Sequence, residues 1–174
     1  MLVEFTAYAG DCLVKGTLAA PDGERLTDFV NRQPEFTITN AELVSYADGH
    51  VVALDEVSLA RDELFAIEAR EPRGETARRI HTVRHRLELK AGPYTVLGQL
   101  HAMPGSPPLS SIGRRPTMIP LTKATIAYND ATGVHARDIT TLIVNRALVD
   151  WVRANANDLP AFAGVPVVAP HPAI

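Results

Sequence analysis

The feature that most restricts how this chain can fold is that it states one pattern twice. Laying Gly10 on Gly92 and Gly16 on Gly98 aligns "AGDCLVKGTLAA" (9–20) with "AGPYTVLGQLHA" (91–102) without a gap. One inserted residue then brings Leu26 onto Leu109, Phe29 onto Ile112 and Arg32 onto Arg115, with Pro34 one position from Pro116. The same offset brings "ITNAEL" onto "LTKATI". Further on, "VSLARDELFAI" falls on "LIVNRALVDWV" with Arg61 over Arg146. A repeated unit this short must bury its apolar face within itself or against its copy, so the fold should consist of two similar halves.

Each copy reads as β structure. "CLVKGTLAA" and "YTVLGQLHA" are short apolar runs with an interior glycine, which in a strand marks a bulge or a sharp bend. "FTITNAELVSY" and "PLTKATIAY" are rich in Thr, Val, Ile and Tyr and partly alternate, as half-buried strands do. "PDGE" and "ADGH" are turn chemistry. Between strands, "ERLTDFVNR" places Leu26, Phe29 and Val30 at helical spacing, which predicts a single helical turn plugging the end of a barrel. The stretch 139–157 is ambiguous, because Ile139, Leu142, Ile143, Val149 and Val152 also fit helical spacing. Its partner in the first copy, with two β-branched clusters separated by "ARDE", favours strand, tight turn, strand for both, with Ile67 and Trp151 as core residues.

The predicted fold class is therefore mainly β: two tandem, small, strongly bent β-barrels related by internal duplication. The first spans 1–70, a charged connector 71–79, the second 80–157, and a proline-rich tail 158–174 carries Pro160, Pro166, Pro170 and Pro172. So many prolines rule out a helix or a central strand in the tail, which reads as a strap along the barrel or a segment for a neighbouring subunit.

The chain of 174 residues is 46% hydrophobic and 21% charged, an ordinary globular composition. Its net charge of −3 gives no global basic field for nucleic acid or anionic membrane. The single cysteine, Cys12, can form neither an internal disulfide nor a cysteine-based zinc site alone, which fits a reducing, cytoplasmic setting. "MLVEFTAYAGDC" lacks the basic start and long apolar run of a signal peptide. Residues 91–113 are uncharged, but Pro93, Pro104, Pro107 and Pro108 exclude a lipid-exposed helix, so no membrane span is expected.

Several short motifs together resemble the Sm-like proteins. They are Val14-Lys-Gly16-Thr-Leu18, Asp28-Phe-Val-Asn31, Ala41 and Leu59-Ala-Arg61-Asp-Glu-Leu64, and in the second copy Leu97-Gly98-Gln-Leu100, Ala124 and Val144-Asn-Arg146-Ala-Leu148. The resemblance implies a five-stranded bent barrel whose subunits form rings by pairing edge strands, and, as in classical members, single-stranded RNA bound at the pore. The family has three residues between Asp and Asn where Asp28 and Asn31 have two, and "SSIGR" replaces both in the second copy. Its arginine is followed by glycine, where this chain has Asp62 and Ala147.

The strongest local charge is "RRIHTVRHRLELK": residues 68–90 carry +3 against −6 for the rest. On a strand over 80–89, His81, Val83, His85, Leu87 and Leu89 share one face, and Thr82, Arg84, Arg86 and Glu88 the other. The second face could track phosphates. The plainer reading is that its arginines keep an edge strand soluble, since no aromatics interleave to stack bases. His81 and His85 lack further ligands for a metal. Ser110 and Ser111 have no base at suggestive spacing, and Asp55, Glu56, Asp62 and Glu63 read as solvated carboxylates flanking a strand and its turn. No catalytic residue, metal site or cofactor is expected, and the chain is not expected to be an enzyme.

Two functions follow as expectations. The first is a binding or assembly module that forms a homo-oligomer or holds a protein partner through strand edges. The second is single-stranded RNA binding through Asn31, Arg61, Arg78, Arg79, Arg84, Arg86 and Arg146.

Overall fold

The computed structural model describes residues 1–70 and 81–154. The connector 71–79, with Arg78 and Arg79, and the tail 158–174 lie outside the described residues. The first half holds β1 (Leu2–Tyr8), β2 (Cys12–Ala19), α1 (Leu26–Arg32), β3 (Glu35–Ser45), β4 (Val51–Ala60) and β5 (Ala66–Ala69). The second holds β6 (Val83–Ala91), β7 (Tyr94–Ala102), α2 (Pro108–Gly113), β8 (Met118–Asp130), β9 (Gly133–Asn145) and β10 (Trp151–Ala154). A 3-10 turn links β4 to β5 at Arg61–Glu63 and β9 to β10 at Arg146–Leu148.

All ten strands lie in one antiparallel sheet that is not closed, in the order β10-β6-β7-β8-β9-β5-β1-β2-β3-β4. Read from the left, each half has the same internal order, and the repeat extends to single residue pairs. Thr17 faces Thr39 as Gln99 faces Thr122. Ala41 faces Leu54 as Ala124 faces Ile139, and Ala7 faces Ile67 as Leu89 faces Val152. The duplicated text thus encodes duplicated ladders.

The bend is built into both copies by the same device. The β2–β3 ladder slips between Lys15 and Thr17, and the β7–β8 ladder between Leu97 and Gln99. Opposite these slips, Asn40 and Lys123 take left-handed backbone, φ 50° and 48°. A Cβ at Gly16 would lie 2.5 Å from Ile38 Cγ2 and 2.9 Å from the Thr39 carbonyl oxygen, and one at Gly98 3.0 Å from Leu121 Cβ. The interior glycines let two bent strands approach more closely than any side chain would allow.

Helix α1 forms where Leu26, Phe29 and Val30 fall on one buried face, with Asp28 in its first turn and Arg32 in its last, the signs its dipole favours. Gln33 is extended because Pro34 follows, and this ends the helix. The core is two hydrophobic clusters, one centred on each half, and each borrows across the boundary. Met118 and Ile143 join the first, while Tyr8, Leu13 and Ala66 join the second.

The ambiguous stretch 139–157 is strand, turn and strand through Ala154. Ile67, between β9 and β1, is fully buried, but Trp151 is only half-buried, because β10 has one neighbour and forms an edge. On β6, His85, Leu87 and Leu89 are buried and Arg84 and Arg86 exposed, as the alternation requires. His81 precedes β6 and Val83 opens it, and both are exposed instead of sharing the buried face.

Candidate functional site

The functional geometry begins at the boundary between the halves. There β5 pairs with β9, with Ala66 opposite Val144, Ile67 opposite Ile143, Glu68 opposite Leu142 and Ala69 opposite Thr141. The Asn145 amide extends this ladder by donating to the Phe65 carbonyl at 2.9 Å. Around it gather all four tyrosines of the chain. Tyr94 stacks edge-on against Tyr8 at 5.5 Å and Tyr128 at 6.0 Å, and Tyr46 lies 5.0 Å from Tyr128. Such pairs contribute about 1 kcal/mol each beyond the area they bury. Burial pushes the Tyr8, Tyr46 and Tyr94 hydroxyls far above the usual phenol range, and the Glu68 carboxylate pushes Tyr8 further.

Among the described residues Glu68 is the one buried carboxylate at this seam. It accepts from Tyr8 Oη at 2.7 Å and pairs with Arg137 of the second half at 3.1 Å. Beside it a cleft of about 400 Å³ is lined by Glu68, Ala69, Arg70, Arg137, Asp138, Ile139 and Thr140. A second tie runs from α1. Asn31 Nδ2 donates to the Met118 carbonyl at 2.8 Å, and the Met118 amide donates to Asn31 Oδ1 at 2.9 Å. One carboxamide thereby substitutes for a strand neighbour at the start of β8.

Each strand of this seam has a counterpart in the other copy: β10 corresponds to β5, and β4 to β9. Among the described residues, those two counterparts are the free edges of the sheet. Strand β4 runs for ten residues with Val51, Val52 and Leu54 exposed and no lysine or proline to discourage pairing. It carries Asp55 and Glu56, both exposed, whereas β10 carries Arg153.

The sequence-predicted residues fall into two groups. Arg61 Nη1 donates to the Asn31 carbonyl at 3.1 Å, and Arg146 Nε donates to the Arg115 carbonyl at 2.9 Å. The Arg61 amide donates to Pro34 and the Arg146 amide to Thr117, so the two arginines occupy equivalent places. Through Asn31 and Met118 they belong to one end of the seam. Arg84 faces His101 across β6–β7, and Arg115 donates to the His101 carbonyl. Burial, then Arg84 and Arg115, hold the His101 imidazole below its usual range. A chain of contacts thus joins Arg84, His101, Arg115 and Arg146. Arg86 is exposed on the same strand as Arg84.

Sequence reasoning missed Glu68, Arg137, Met118 and Arg115, whose roles exist only once the halves are juxtaposed. It placed Asp55 and Glu56 beside a strand, whereas they lie within β4. Among the described residues no group of three or more His, Cys, Asp or Glu side chains could hold a metal ion, and no helix is long and apolar enough to cross a membrane. No protein family, curated protein or solved structure matches this chain.

Proposed function

We propose that this protein is a non-enzymatic assembly module in which two Sm-like barrels, fused as a pseudo-dimer, self-associate head to tail through strands β4 and β10. The observation that carries the reading is the β5–β9 seam. The chain already joins one copy's last strand to the other copy's fourth, and among the described residues the same two strand types have no outer neighbour. Exposed edges with unpaired N–H and C=O groups are templates for another chain. A contact between unlike edges repeats until it closes as a ring or extends as a fibre. Fusion makes the first such contact intramolecular, where effective concentration replaces dimerisation.

Light scattering coupled to size exclusion tests this directly. The expected mass is a multiple of the 18.8 kDa chain that grows with concentration. A single 18.8 kDa species up to about 100 μM, a concentration at which micromolar contacts would be populated, rejects the reading.

A second reading, single-stranded RNA binding, is favoured by the run of contacts from Arg84 through Arg115 to Arg146, with Arg61 tied to the same seam end through Asn31. Anisotropy of a labelled single-stranded RNA should then show binding that weakens with salt and is lost in Arg84→Ala/Arg86→Ala. Absence of binding at low salt rejects it.

A further inference from the structure

We infer that the contact between molecules has a defined register and is held by a charge latch, Arg153 of one molecule against Asp55 of the next. This rests on the assembly reading above and specifies its partner as a second copy of this chain. The register comes from the seam. Carrying the β5–β9 pairing onto the equivalent strands sets Trp151 opposite Leu59, Val152 opposite Ser58, Arg153 opposite Val57 and Ala154 opposite Glu56.

The chemistry of that contact differs from the seam in a consistent direction. Arg153 stands where the seam has Glu68, and Asp55 stands where the seam has Thr140. Glu68 and Thr140 both line the cleft at the seam, so Arg153 and Asp55 meet in its intermolecular equivalent. Lys90 replaces the buried Tyr8, and Ser45 replaces Tyr128. The aromatic cluster that seals the seam has no counterpart at the outer edges.

A second pair follows from the α1 clasp. Asn31 corresponds to Arg114 and its partner Met118 to Glu35, both exposed, so an arginine faces a carboxylate where the seam has a carboxamide on backbone. Two acid–base pairs in one register, both with the base on the β10 side, give the edges complementary sign. Arg153 uses Nε and Nη2 on one oxygen of its neighbour Glu88, at 2.8 and 2.5 Å, which leaves Nη1 outside these bonds. The seam is thus a covalently tethered joint sealed by buried tyrosines, and the outer contact is polar and sensitive to ionic strength.

Reciprocal charge reversal tests the latch. Arg153→Glu sets Glu against Asp55, and Asp55→Arg sets Arg against Arg153, so each variant alone should associate at least about tenfold more weakly than the wild-type chain. Mixed in equal amounts the two should recover wild-type mass, because each contact in an alternating assembly is again acid against base. Circular dichroism on each variant separates loss of contact from loss of fold, and recovery on mixing makes the same point without it. Raising NaCl from about 50 to 500 mM should weaken wild-type association to a similar degree. Arg153→Glu assembling like the wild type, or a mixture no better than its components, overturns the latch while leaving edge assembly standing. A wild-type chain that stays monomeric overturns both.

Discussion

Lys123 holds a left-handed backbone angle, φ 48°, that costs an ordinary L-residue about 1 kcal/mol. Its equivalent in the first copy, Asn40, adopts the same angle with a side chain that tolerates it, so the bend and not the lysine is what the fold requires. Lys123→Asn or Lys123→Gly should therefore stabilise the protein by about 0.5–1 kcal/mol, read as a higher urea midpoint with an unchanged slope. His101 supplies the opposite case. Its ring lies between Thr82 Oγ1, 3.1 Å from Nδ1, and Thr122 Oγ1, 2.8 Å from Nε2, with Arg84 and Arg115 nearby. Folding lowers its pKa below the ordinary 6.5, so the unfolded chain takes up this proton first. The contribution to stability is complete above 6.5 and is lost as pH falls from there toward the depressed folded value. Thermal unfolding between pH 7.5 and 5 should show this decline, and His101→Gln, which keeps a donor and an acceptor but no proton equilibrium, should flatten it.

Among the elements, α1 and the start of β8 test how the halves are joined. The Asn31 carboxamide gives to and takes from the Met118 backbone, which an ionised carboxylate cannot do. Asn31→Asp loses the donor and turns a carboxylate toward a carbonyl, so it should cost about 2 kcal/mol, more than Asn31→Ala, in urea unfolding. This residue also shows how far the sequence could be read. The repeat, the glycine bends, the strand reading of 139–154 and the buried face of α1 were all visible, because periodicity and backbone chemistry are local. Asn31, Arg61 and Arg146 could be picked out by residue type and spacing. Their engagement could not, since Asn31 bonds a residue 87 positions away, and Arg61 and Arg146 donate to main-chain carbonyls 30 and 31 positions away. Glu68 was invisible for the same reason: in sequence it begins a charged run, and only the juxtaposition of β5 and β9 buries it against Tyr8 and Arg137.

For the whole molecule, the question is whether two copies of one text behave as two folding units. Each half has its own five-stranded ladder, which argues for independence. The cores argue against it: Met118 and Ile143 complete the first cluster, and Tyr8, Leu13 and Ala66 complete the second, so neither half can unfold without opening the other's interior. The Tyr94 hydroxyl donates to the Ala9 carbonyl and lies in hydrogen-bond reach of the Tyr46 hydroxyl at 3.0 Å, which adds buried polar groups that separation would orphan. Small cores of this size gain only a modest surplus over chain entropy, and exposing the tyrosine cluster on either side would remove it. The chain should therefore unfold in one cooperative step. Trp151 makes this measurable, since the only tryptophan reports on the second half while far-UV circular dichroism reports on both. Urea transitions followed by the two signals should coincide, and Tyr94→Ala should shift both to lower urea together. Two separated transitions, with the tryptophan signal tracking only one, would mean that the seam merely holds two self-sufficient halves side by side.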